Sequence, residues 1–193
     1  MLNQRRRKRP GRTLKPIFSI VCEGKTERAY FCAIKGLCSN WHIEVECSNN
    51  KSDPISLLGK ATDQIKKFPH GSLVAIVCDK DNWNEKQLKP LLEFQEKDRC
   101  FLIFSAPQFE YWLVLHKGVG ARIQTSTECM DKMNKLFPNY KKPTIPKEIL
   151  NIDSIHHAIS EAKKDNVPEF LNELPEKGTN CYALLERILN PHK

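Results

Sequence analysis

From Ile17 onward the chain alternates short apolar runs with stretches of helical period. Ile17-Phe18-Ser19-Ile20-Val21-Cys22 reads as a first strand, and Lys25 to Cys38 then places Tyr30, Ala33, Ile34 and Leu37 on one helical face. Ile43 to Cys47 supplies a second strand. After Pro54, suited to a first helical turn, Leu57, Ala61, Ile65 and Phe68 recur at helical spacing until Pro69-His70-Gly71 stops the run. Ser72 to Cys78 is apolar at nearly every position, as befits a strand covered on both faces of a parallel sheet. A helical segment from Asn84 to about Asp98, interrupted or restarted at Pro90, precedes a further strand, Cys100-Phe101-Leu102-Ile103-Phe104.

The resulting order, β-α-β-α-β-α-β, predicts an open, mostly parallel α/β sheet with helices on both faces. Past Leu115 the texture changes. Pro138, Pro143 and Pro146 interrupt the chain, and helical stretches return at Ile155 to Lys164 and Tyr182 to Leu189, with no further convincing strand. Three parts are expected: a basic, disordered arm over 1–16, an α/β core over 17–116, and a C-terminal helical extension over 117–193 packed on the core.

Charge sharpens this division. The formal charge is +8, from 31 Lys+Arg against 23 Asp+Glu in 193 residues. Residues 1–16 carry Arg5, Arg6, Arg7, Lys8, Arg9, Arg12 and Lys15 with no carboxylate, so removing these seven charges leaves +1 for everything else. Attraction to nucleic-acid phosphate is thus expected from the arm, aided by Lys25, rather than from the body. The longest apolar runs, Ser72 to Cys78 and Phe109 to His116, fall well short of the roughly 18 residues a membrane helix needs. The basic N-terminus is followed by no apolar segment of the kind a signal peptide carries. A soluble, cytoplasmic protein is expected. The eight cysteines include no C-x-x-C pair and lie largely in β-like runs, so they are expected to be reduced and mostly in the core, without structural zinc.

The chemistry is suggested by position. In open α/β sheets the ligand site lies outside the carboxyl ends of the strands. The first strand ends in Cys22-Glu23-Gly24-Lys25-Thr26-Glu27, the third in Cys78-Asp79-Lys80-Asp81, and the fourth in Ser105-Ala106-Pro107-Gln108-Phe109-Glu110. Glu23, Asp79 and Asp81, with Glu27 and Glu110, are thereby brought toward one edge. Carboxylates so close repel unless a cation neutralises them, and hard oxygen donors suit magnesium or manganese. Each residue also has a plainer role. Asp-x-Asp serves turns, Glu27 suits the positive end of a helix, and Glu110 suits a solvated helix face. Gly24-Lys25-Thr26 mimics the end of a P-loop, but the glycine required five residues earlier is Ser19, inside the strand. Gly24 is better explained by close approach of backbone and metal.

Val21-Cys22-Glu23-Gly24-Lys25-Thr26-Glu27, Val77-Cys78-Asp79-Lys80-Asp81 and Ser105 to Trp112 together resemble the RloB-like proteins of the Toprim superfamily. That superfamily carries a glutamate after its first strand and Asp-x-Asp after a later one. The Gly-x-Thr-Glu continuation is closer to the OLD-type Toprim nucleases than to topoisomerases or primases. The basic arm, the Phe-Glu-x-Trp segment ending in His116, Asn139-Tyr140-Lys141-Lys142 and Ala158 to Lys164 extend the resemblance over most of the chain.

The resemblance implies a Toprim-like fold and a Mg2+- or Mn2+-dependent nuclease in phage defence, with Glu23 as acid/base or metal-shell residue. It implies Asp79 and Asp81 as the metal pair, and Glu27 and Glu110 at a second metal position, where two ions would steady the attacking and leaving oxygens of a phosphodiester. Glu110 and Lys141 stand with Glu23 as catalytic candidates, Lys141 as a charge for the developing phosphorane, and His116 as a site accessory. The resemblance further implies a companion ATPase, RloA-like, since this chain has no ATP site of its own. Whether DNA or RNA is cut is left open, as is a homo-oligomer. Two other readings stand beside this one: a non-catalytic, metal-containing nucleic-acid-binding or regulatory module, and a phosphate-handling enzyme acting on small molecules.

Overall fold

The computed structural model describes residues 15–48, 53–68, 71–79, 83–118, 120 and 123–190. Four strands and three helices alternate first: β1 (Ile17–Cys22), α1 (Lys25–Ile34), β2 (His42–Cys47), α2 (Pro54–Lys67), β3 (Leu73–Asp79), α3 (Glu85–Gln95) and β4 (Cys100–Ala106). There follow α4 (Glu110–Leu115), α5 (Ser126–Leu136), α6 (Ile152–Lys163), a short β5 (Gly178–Thr179) and α7 (Cys181–Leu189).

Local chemistry accounts for the boundaries. Asp53 caps α2 by accepting from the Ser56 amide at 2.9 Å, with Pro54 in the first turn. Asn84 with Gln87 and Thr125 with Glu128 form reciprocal capping boxes at α3 and α5. The expected break at Pro90 does not occur. Helix α3 continues through it and forgoes only the bond that the missing N–H would have donated. Helix α5, absent from the periodicity reading, begins at its capping box and buries Cys129 and Met133.

The sheet order is β2-β1-β3-β4-β5, with β1 to β4 parallel. Strand order reverses at β1, which pairs β2 on one side and β3 on the other. The crevice between the carboxyl ends of β1 and β3 is therefore the topological switch point, where such sheets bind ligands.

The expectation of no strand beyond Leu115 is corrected. β5 adds antiparallel to β4, pairing Ser105 with Thr179 and Ala106 with Gly178. Asn180 locks the junction: its side chain accepts from the Phe104 amide at 2.8 Å and donates to the Leu102 carbonyl at 2.9 Å. Gly178 sits at φ +102, and a Cβ there would come within 2.6 Å of Val167, so only glycine suits the position. A two-residue strand held by side-chain clamps has no periodicity to detect.

Side chains alternate across the sheet into two cores. Phe18, Ile20, Cys22, Ala75, Val77, Phe101 and Ile103 face α1, α4, α5, α6 and α7. Val21, Val74, Ile76, Cys78, Leu102 and Phe104 face α2 and α3. Helices therefore cover both faces, and the segment after residue 117 supplies much of one layer. All eight cysteines are free thiols, and all but Cys32 are buried. Among the described residues no helix is long and apolar enough to cross a membrane.

Candidate metal centre

At the switch point a cleft of about 450 Å³ is lined by Glu23, Glu27, Asp79 and Glu110, with Gly24 and Lys142 among the residues between them. Each acid arrives by a different route. Glu23 is the first residue beyond β1, and its amide continues the ladder to the Val77 carbonyl at 2.9 Å. Its carboxylate then reaches across the crevice, where Oε2 accepts from the Asp79 amide at 3.1 Å. Asp79 closes β3. Its Oδ1 is buried and has no hydrogen-bond partner among the described residues, an arrangement that burial makes expensive. Desolvation first, then the charges of Glu27, Glu23 and Glu110, hold the Asp79 carboxyl well above the usual carboxylate range.

Glu27 stands in the first turn of α1 with 4% exposure. Burial, opposed by backbone hydrogen bonds at the helix start and assisted by the charge of Glu110, pushes its carboxyl up to about 7. The carboxylate folds back over Gly24 so closely that a Cβ at Gly24 would lie 2.6 Å from Glu27 Oε2. Gly24 is thus the residue whose missing side chain lets a buried carboxylate occupy the helix N-terminus. Only Gly24 separates Glu23 from the start of α1, and no loop that could wrap phosphates intervenes, so the Gly-Lys-Thr sequence is no P-loop here.

Glu110 opens α4 and is 1% exposed. Its Oε1 accepts from the Tyr140 hydroxyl at 3.1 Å. Oε2 lies 2.9 Å from Lys142 Nζ, an ion pair set off the line of a hydrogen bond. The β4-to-α4 connection and the Pro138 to Pro143 segment therefore meet at one carboxylate.

Of the residues singled out from sequence, Glu23, Glu27, Asp79 and Glu110 share the cleft, and Lys25 lies exposed on its rim. Asp81, Arg5, Arg6, Arg7, Lys8, Arg9 and Arg12 lie outside the described residues. Lys141 is exposed and does not line the cleft; the lysine that reaches it is Lys142. His116 is away from the site, 4% exposed, between the Tyr30 hydroxyl at 3.2 Å and Ser154 Oγ at 3.1 Å. Burial holds its imidazole down to about 3, so it is a neutral packing residue set edge-on to Tyr30 and Trp112. Thr26 and Tyr140 carried no signal of their own in the sequence; the Asn139 to Lys142 stretch stood out only through the family resemblance.

The donor set fits a hard divalent cation. The cleft offers carboxylate oxygens from four residues, one of them a buried Asp79 oxygen with no partner among the described residues, and it holds one carboxyl raised toward neutrality. Among the described residues no three His, Cys, Asp or Glu side chains are already gathered as a ligand group.

The profile of the RloB-like proteins matches residues 18–188. The chain belongs to the RloB-like protein family. Its matched region runs from β1 into α7, so this family's span takes in the sheet, the cleft and the C-terminal segment that supplies Tyr140 and Lys142. No curated protein and no solved structure matches the chain.

Proposed function

We propose that this RloB-like chain is a Toprim-like, Mg2+- or Mn2+-dependent nuclease that hydrolyses nucleic-acid phosphodiester bonds, and that it serves as the effector of a phage-defence system alongside an ATPase. The observation that carries this reading is Asp79, which lines a cleft with Glu23, Glu27 and Glu110 at the sheet's switch point and whose buried Oδ1 has no hydrogen-bond partner among the described residues. A glutamate after β1 and an Asp-x-Asp beginning at the end of β3 match what the Toprim resemblance requires, and clustered carboxylates are what metal-assisted phosphoryl chemistry uses.

Within this reading Asp79 and Glu23 hold the first ion with Asp81, and Glu27 and Glu110 hold a second. Bound metal supplies Lewis acidity and an activated water at neutral pH. The chain's own residues do the rest. Glu23, anchored on the Asp79 amide, is kept oriented across the crevice. Glu27, whose carboxyl burial raises to about 7 in the absence of metal, gives up its proton as it takes the ion, so metal binding is linked to pH. Lys142, rather than Lys141, sets an ammonium at the cleft, where charge builds on a phosphate during cleavage. The basic arm holds the polyanion near an acidic cleft that repels it until cations enter.

The test is incubation of purified protein with supercoiled plasmid and with tRNA in Mg2+ or Mn2+, beside Glu23→Ala and Asp79→Ala. Cleavage by the wild type that both variants lose supports the proposal; cleavage that survives in either variant removes it.

A further inference from the structure

Tyr140 comes from the C-terminal segment and reaches one of the acids of the cleft. Its hydroxyl donates to Glu110 Oε1 at the start of α4 at 3.1 Å. The segment carrying it is pinned at both ends, since Phe137 and Ile145 are buried in the core. Between them, Tyr140 N bonds to the Phe137 carbonyl at 2.9 Å and Thr144 N to the Lys141 carbonyl at 2.7 Å. Asn139 at φ +77 turns the chain into the site.

The two oxygens of Glu110 are consequently not equivalent. Oε1 is engaged by a neutral, directed donor. Among the described residues Oε2 pairs with the Lys142 ammonium, without a hydrogen bond of good geometry. A carboxylate fixed through one oxygen presents the other as a monodentate ligand, and Lys142 supplies a positive charge at the place a cation would take.

We infer that Tyr140 is a positioning residue, which holds Glu110 through Oε1 so that Oε2 alone is offered to a divalent cation. The inference rests on the metal reading above and deepens it: Glu110 is tuned by a residue from the C-terminal segment, which thereby becomes part of the metal site. Partners of metal ligands at this remove typically contribute 10–100-fold to metal affinity.

The experiment is a Mn2+ titration without substrate, following the EPR signal of free Mn2+, on the wild type, Tyr140→Phe, Glu110→Gln and the double variant, with thermal melts in chelator as a folding control. Tyr140→Phe is expected to melt like the wild type and to bind the Mn2+ held through Glu110 roughly 10-fold or more less tightly. In the Glu110→Gln background it is expected to change nothing further, because it acts through Glu110. A Tyr140→Phe isotherm that overlays the wild type overturns the inference, and so does an additive double variant, while the metal reading survives both. A wild type that binds no Mn2+ overturns the metal reading and this inference with it.

Discussion

The Asp79 amide donates to Glu23 Oε2 at 3.1 Å, while the Asp79 side chain keeps Oδ1 buried and unpaired among the described residues. One carboxylate is thus steadied by the backbone of the residue whose own carboxylate is left unsatisfied. Such a pairing is costly for stability and useful for holding a cation. Asp79→Asn removes the buried charge and its repulsion with Glu27, Glu23 and Glu110. In chelator this variant is expected to be more stable than the wild type by about 1 kcal/mol, the size typical of relieving a functional strain, and to lose at least about 100-fold in metal-dependent cleavage. Chelator melts and cleavage rates, measured side by side, check both halves.

Glu27 makes the metal-free protein sensitive to pH in a defined direction. Its folded carboxyl is raised to about 7 from an ordinary 4.5, so the folded state holds a proton that the unfolded chain has released. That contribution is complete below about 4.5 and is lost as pH rises through about 7, amounting to roughly 3 kcal/mol at 1.36 kcal/mol per unit. Urea midpoints in chelator at pH 5 and pH 7.5 are expected to fall for the wild type relative to Glu27→Gln, which has no such proton to lose.

His116 acts with the opposite sign. Its folded imidazole is depressed to about 3 from 6.5, so stability is full above about 6.5 and is lost as pH falls toward 3, when the unfolded chain takes up a proton that the buried ring refuses. His116→Gln, which keeps polar atoms near Tyr30 and Ser154, is expected to show a shallower acid transition by circular dichroism.

Gly24→Ala separates folding from function. The backbone at Gly24 has φ −112 and ψ 172, which any residue adopts, and the atom a new Cβ meets is the end of a flexible side chain, Glu27 Oε2. The carboxylate moves rather than the backbone. Stability is expected to change by less than about 1 kcal/mol, whereas cleavage falls at least about 10-fold because Glu27 leaves its place. A melt matching the wild type beside a reduced rate is the expected pair of results.

Much of this was legible before any coordinates. The parallel core announced itself because strands buried on both faces, such as Leu73–Asp79, are apolar without alternation, and because the acids break those runs at the same end. Glu23, Glu27, Asp79 and Glu110 could be gathered from topology alone. What stayed hidden depends on long-range contacts with no local period. Asn180 completes the sheet by clamping Leu102 and Phe104 from 78 and 76 residues away. Tyr140 and Lys142 reach Glu110 from a proline-bounded loop, and nothing in a Lys-Lys pair says which ammonium turns inward. His116, close in sequence to the site motif, is carried by α4 away from the cleft and into the aromatic core.

The central claim is that the cleft between β1 and β3 is a metal centre. A crystal of the full chain soaked in Mn2+ and measured for anomalous scattering addresses it directly. The account predicts a manganese peak bonded to Asp79 Oδ1 and the Glu23 carboxylate, at the roughly 2.0–2.2 Å usual for oxygen ligands of a small hard cation. Manganese bound elsewhere, with the cleft free of any anomalous peak, would contradict it.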